Sequence, residues 1–83
     1  MEEQDIVLSI HLMEDETETV AVAELDLRGD HFEARGRARR NPVDPSKPLI
    51  GEELAIARAL SRLEDQITEA AQDKIDLFLV HTD

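Results

Sequence analysis

Residues 51–74 read GEELAIARALSRLEDQITEAAQDK. Within them Ile56, Leu60, Leu63, Ile67 and Ala70 recur at intervals of four and three, the spacing that lines side chains along one stripe of an α-helix. Ala59 and Ala71 widen that stripe. Arg58, Arg62, Asp65, Glu69 and Asp73 fall on the other side, where Arg62 and Asp65 stand three apart and can pair. A single helix cannot bury its own stripe, so the preceding chain must supply a second layer.

That layer reads as strands. From Ile6 the pattern has period two: Ile6, Leu8, Ile10 and Leu12 take one face, and Val7, Ser9, His11 and Met13 the other. The charged run 14–18 breaks it. Residues 19–27 alternate again, with Ala21, Ala23, Leu25 and Leu27 opposed by Val20, Val22, Glu24 and Asp26. After Arg28-Gly29-Asp30-His31, a third run places Phe32, Ala34, Gly36 and Ala38 against Glu33, Arg35, Arg37 and Arg39.

Keeping the apolar faces together sets the register, because a slip of one residue turns every side chain over. Leu12 then opposes Ala21, Ile10 opposes Ala23, Leu27 opposes Phe32 and Leu25 opposes Ala34. This puts the first hairpin loop at residues 15–18 and a two-residue loop at Gly29-Asp30, where glycine supplies a positive φ. It also sets Glu24 opposite Arg35. The tripeptide Arg28-Gly29-Asp30 is accordingly a hairpin tip.

Pro42, Pro45 and Pro48 all lie within residues 41–49, ending the third strand and holding an extended crossover to the helix. Glu52 and Glu53 are expected in the first helical turn, where the dipole favours negative charge. The small residues Ala21, Ala23, Ala34, Gly36 and Ala38 let a helix approach closely, with Ile6, Leu8, Ile10, Leu12, Leu25, Leu27 and Phe32 around them. The expected fold is a single α+β domain, a three-stranded antiparallel meander with one long C-terminal helix on one face. Its strands run over about residues 5–13, 19–28 and 31–40, the crossover over 41–49, the helix over about 50–74 and a tail over 75–83. The tail is compatible with helix, an edge strand or a segment lying on the sheet. Its reading here is helix ending near residues 73–76, then an extended segment.

Two stretches, Gly36-Arg37-Ala38-Arg39-Arg40-Asn41-Pro42 and Ile50-Gly51-Glu52-Glu53-Leu54-Ala55-Ile56-Ala57-Arg58-Ala59-Leu60, resemble a domain-of-unknown-function family of small, acidic, mainly actinobacterial proteins. The resemblance covers about residues 6–73. It implies a fold grouped with double-stranded-RNA-binding domains and brings no catalytic residues. The segment from Ile75 onward is richer in large apolar residues than that family leads one to expect.

Composition narrows the function classes. The chain has 83 residues, no cysteine, tryptophan or tyrosine, and two phenylalanines. No disulfide framework or thiolate metal site can form, and a core so short of aromatics favours further burial by self-association. Twenty acidic against nine basic residues give a net charge of −11, a field that repels phosphate backbones and anionic membranes. No secretory leader or membrane-length apolar run is read, so a cytoplasmic location is expected.

Candidate functional groups are few. Arg35, Arg37 and Arg39 share the outer face of the third strand and could grip phosphates, but Glu52 and Glu53 stand where a nucleic-acid-binding helix start would be basic. On the same outer face His11, Met13, Val20 and Val22 form an apolar patch that one helix cannot cover, the mark of an interface. Ile50, Leu54 and Ala57 make a second small apolar group, expected to meet Val43 and the crossover. His11, His31 and His81 show no ligand spacing, so no metal or cofactor is expected; no catalytic constellation is read either. The sequence therefore points to a non-enzymatic interaction module that self-associates, as a homodimer or higher homo-oligomer, and docks a protein partner. Its candidate surface comprises His11, Met13, Val20, Val22, Arg35, Arg37 and Arg39. RNA binding through the arginine ladder is the alternative.

Overall fold

The structure, a computed structural model, describes residues 1–39 and 47–81. Three strands, β1 (Leu8–Glu14), β2 (Glu18–Leu27) and β3 (Asp30–Arg39), precede one helix, α1 (Pro48–His81). The strands form an antiparallel sheet in the order β1-β2-β3, and α1 packs on one face, giving the α+β fold expected.

The first hairpin has the expected register, with Leu12 opposite Ala21 and Ile10 opposite Ala23. Asp15 Oδ1 holds its loop by accepting from the Thr17 amide (2.8 Å), the Thr17 hydroxyl (2.9 Å) and the Glu18 amide (2.9 Å). The second hairpin is displaced by two residues from the expected register. Leu25 opposes Phe32, Ala23 opposes Ala34, and Leu27 opposes Asp30. Its two-residue turn is Arg28-Gly29, not Gly29-Asp30. Both turn residues have positive φ (47° and 90°), the requirement of the type I′ turn that matches strand twist. A shift of two keeps every side chain on its face, so hydrophobic alternation alone could not separate the registers. It does change cross-strand partners: Glu24 faces Glu33 and Val22 faces Arg35.

The helix starts at Pro48, so proline serves as its first residue, and Glu52 and Glu53 fall beyond the first turn. The other prolines and Val43 lie outside the described residues. At the far end α1 continues to His81, so the tail is helical rather than extended. Thirty-four residues make a rod of about 50 Å, against about 33 Å for a ten-residue strand. The overhang gives a radius of gyration of 17.1 Å, where a compact chain of this length has about 12 Å.

Burial is concentrated where α1 meets β2 and β3. Ala21, Ala23, Ala34, Ala38 and Phe32 of the sheet pack with Ala55, Ala59 and Leu63 of the helix; Ile56, Leu60, Ile67 and Ala70 are partly buried beside them. The buried line of the helix is thus Ala55–Ala59–Leu63, one side of the expected stripe, and Ala71 is exposed. Alanines and Gly36 bring the two layers together. A Cβ on Gly36 would strike the backbone of Ala55, Arg58 and Ala59.

That close contact has a cost at β1. The helix is drawn over β3 and β2 and packs little on β1. Ile6, Leu8, Ile10 and Leu12, expected in the core, are exposed, the last three at 43%, 40% and 37%.

Candidate functional site

The outer face of the sheet places the sequence-derived surface residues in rows. His11, Val22 and Arg35 stand side by side across the three strands, and Met13, Val20 and Arg37 form the next row. Val22 sits on the central strand between two longer side chains and is only 6% exposed. It is therefore a covered residue, contrary to the open position expected for it. Val20 is half-buried, while His11, Met13, Arg35, Arg37 and Arg39 are exposed. Met13, Val20, Arg35 and Arg37 line an open recess together with Glu14, Asp15 and Glu18. Glu18 Oε2 lies 3.3 Å from Arg37 Nε, so carboxylates enter the arginine ladder itself.

The two sheet edges are treated differently. Along β3, Arg58 Nη1 donates to the carbonyl of Arg37 (2.6 Å), Arg62 Nη1 to that of Arg35 (2.7 Å) and Gln66 Nε2 to that of Glu33 (2.8 Å). Residues spaced by four on the helix thus meet carbonyls spaced by two on the strand. Lys74 continues the row with a 2.8 Å contact to Asp30 Oδ2. Arg62, which the helix spacing also sets within reach of Asp65, is engaged here. The row satisfies and shields the outer carbonyls of an edge strand. Among the described residues no side chain hydrogen-bonds to the β1 backbone.

Helical geometry puts Ile56, Leu60 and Ile67 roughly 160–200° around the axis from Arg58, on the flank turned away from the β3 edge. Phe78 continues that flank beyond the sheet. The exposed inner residues of β1 and this flank form an apolar strip bordered by an unshielded strand. Ile75, Leu77, Phe78 and Leu79 of the overhang are also exposed, as are Leu49, Ile50 and Leu54 at the other end. Sequence reasoning missed the strip because it assigned β1 to the core. The excess of large residues after Ile75 was the visible part of the signal.

Two polar clusters lie outside the candidate surface. Glu24, His31 and Glu33 bring one ligand atom each within 4.8 Å of one another, all exposed. The corrected register creates this group, which the spacing of the histidines did not announce. His31 Nδ1 lies 2.6 Å from Asp26 Oδ1, and that hydrogen bond, with the surrounding carboxylates, raises the His31 pKa above its ordinary value. At the opposite end the Glu14 carboxylate raises the pKa of Glu52. Glu14 Oε1 also accepts from the Thr19 hydroxyl at 3.1 Å.

No helix among the described residues is long and apolar enough to cross a membrane. The chain is 37% identical over 73 residues to the uncharacterised protein Mb1767 of Mycobacterium bovis, covering 88% of this chain and 78% of that one. It is 36% identical over 69 residues to the uncharacterised protein Rv2632c of Mycobacterium tuberculosis, covering 83% and 74%. The crystal structure of Rv2632c superposes with a TM-score of 0.87 at 32% identity, over 93% of this chain and 92% of that one. These likenesses support the family and the architecture and leave the double-stranded-RNA-binding grouping as an implication of the resemblance. A family described as Rv2632c-like matches residues 4–82, and the chain belongs to that family.

Proposed function

We propose that this protein is a non-enzymatic interaction module of the cytoplasm that self-associates, as a homodimer or a higher homo-oligomer, and in that state docks a protein partner. The observation that carries the reading is the exposed apolar strip of Leu8, Ile10 and Leu12 beside a helix that packs chiefly on β2 and β3. A second copy would shield it, and an alanine-lined core with few large side chains gains from added burial. The assembling surface is thus moved from the outer sheet face, where Val22 is covered, to the inner side of β1. The exposed outer residues His11, Met13, Arg35, Arg37 and Arg39, with half-buried Val20, are left for the partner.

RNA binding through the arginine ladder has weaker support. Glu18 is paired with Arg37, and Glu14 and Asp15 share the recess, so a phosphate would meet carboxylates there. The test is light scattering on the size-exclusion peak. A mass of twice the 9.4 kDa chain or more is expected, falling to one chain in Leu8→Asp/Leu12→Asp. A strict monomer across micromolar concentrations would refute the reading.

A further inference from the structure

We infer that a second copy of this chain joins through the β1 edge, by antiparallel pairing of β1 with its counterpart about a two-fold axis at Ile10. The result is a continuous six-stranded sheet in the order β3-β2-β1-β1-β2-β3. This deepens the self-association reading above and rests on it.

The first support is the unequal treatment of the two edges. Arg58, Arg62 and Gln66 occupy the outer carbonyls of β3, and no described side chain does the same for β1. An unshielded edge strand is a template for another strand. Natural edges are commonly blunted by charge, yet residues 8–13, Leu-Ser-Ile-His-Leu-Met, carry no acidic, lysine or arginine side chain in a chain where such residues make up 35%. Apart from Glu14 at its end, the edge is therefore neutral within a molecule of net charge −11, so a second copy can pair along residues 8–13 without opposed carboxylates.

The second support is self-complementarity, which identifies the occupant as the same chain. With Ile10 opposite Ile10, Leu8 opposes Leu12 on the inner face in both halves of the interface. On the outer face Ser9 opposes His11 and Val7 opposes Met13. The inner pairs formed within β1 are apolar, the arrangement that stabilises an antiparallel sheet, with Glu14 at the strand end falling opposite Ile6 beyond it. The two-fold repeats each pair as an isologous contact. Moving the register two residues one way sets Leu8 against Glu14. Moving it the other way carries the pairing further before Leu8 and brings Asp5 against Met13. Pairing about Ile10 also brings the Ile56–Leu60–Ile67 flanks of the two helices to either side of one shared apolar floor.

The absence of cysteine makes the test direct, since any disulfide must come from an introduced residue. Ile10→Cys places two sulfurs on directly opposed residues, whose Cα atoms are about 4.5–5.5 Å apart in antiparallel pairs, within disulfide range. Ser61→Cys, exposed on the helix face turned from the sheet, is the control. The full chain carrying each single cysteine is oxidised mildly, with light scattering on the unmodified protein in parallel. Ile10→Cys is expected to give covalent dimers at least tenfold faster than Ser61→Cys. Hydrogen exchange of the unmodified chain should show β1 amides gaining protection as concentration rises through the dimerisation range. An associated protein in which Ile10→Cys links no faster than Ser61→Cys, and β1 amides gain nothing, overturns edge pairing and leaves self-association standing. A monomer at all concentrations overturns both.

Discussion

Gly36 of β3 lies against the backbone of Ala55 in α1 with no space for a methyl group between them. The contact fixes where the helix crosses the sheet and, through that, which strand it leaves uncovered. A Cβ at this position meets the backbone of Ala55, Arg58 and Ala59, which cannot rotate aside as a side-chain tip would. Gly36→Ala should therefore destabilise the fold by about 2 kcal/mol or more, the upper part of the range for overpacking a tight interface. Urea denaturation followed by circular dichroism reads the loss. An unchanged midpoint would mean that the layers can separate without penalty.

Arg28 is the other position where backbone shape outweighs side-chain chemistry. It has φ of 47° at the first position of the type I′ turn, a conformation costing a residue with a Cβ roughly 1 kcal/mol. Asparagine adopts it more readily, and Asn-Gly is the preferred pair for this turn. Arg28→Asn should stabilise the protein by about 0.5 kcal/mol, measured as a higher urea midpoint. The exposed 3.1 Å hydrogen bond from Arg28 to Gln4 is lost in the exchange and is a minor offset.

This turn also shows how far the sequence could be read. Alternation of apolar and polar residues revealed three strands, their faces and their order, because period two is fixed by strand geometry. It could not distinguish registers two residues apart, since Leu25 faces inward whether it meets Phe32 or Ala34. The choice belonged to turn conformation, which placed Arg28 and Gly29 at the tip. The partners of Glu24 and Arg35, and the Glu24–His31–Glu33 cluster, followed from that choice. Helical periodicity likewise found the stripe on α1 but not its lateral position on the sheet. The position came from the lack of a side chain at Gly36, and it moved Leu8, Ile10 and Leu12 from the core to the surface. Of the candidate surface, the rows His11–Val22–Arg35 and Met13–Val20–Arg37 were legible in the alternation. The covering of Val22 by longer neighbours was not.

His31 makes stability depend on pH in one direction. Its pKa in the fold is raised above 6.5 by the hydrogen bond to Asp26 and the charges of Asp26, Glu24 and Glu33. The folded state thus holds the proton more tightly than the unfolded chain, and stability falls as that proton leaves. The contribution is full below pH 6.5 and is lost as pH rises through the raised value. Urea midpoints taken from pH 6 to pH 9 should decline in the unmodified protein. In His31→Asn this part of the slope should vanish. A parallel decline in both would assign the effect elsewhere.

Glu52 gives a second dependence, at lower pH. Its pKa is raised above 4.5, chiefly by the Glu14 carboxylate, so the fold binds its proton better than the unfolded chain does. Stability from this site therefore falls as pH climbs through 4.5 and the raised value above it, and stays reduced at neutrality. Glu52→Gln removes the repulsion. The variant should be more stable than the parent at pH 7, with the difference shrinking towards pH 4. An advantage that persists unchanged at pH 4 would rule out charge repulsion as its source.

The row from α1 to the β3 edge leads to a prediction about assembly rather than stability. Arg58 and Arg62 reach carbonyls of Arg37 and Arg35 at 2.6 Å and 2.7 Å, and both side chains are exposed. Each exposed contact is worth about 1 kcal/mol or less to folding. Arg58→Ala/Arg62→Ala should therefore fold, with a modest fall in urea midpoint. It should also leave β3 as open as β1, and a sheet open at both edges can add copies without closing. Light scattering should show the double variant growing in mass with concentration past the size at which the unmodified protein stops. Replacing the arginines with lysine tests whether charge alone suffices. Lysine keeps the positive charge but lacks the planar fork that reaches the carbonyl, so partial rescue is expected. A double alanine variant with the same mass as the unmodified chain would show that the row stabilises the helix position and does not guard the edge.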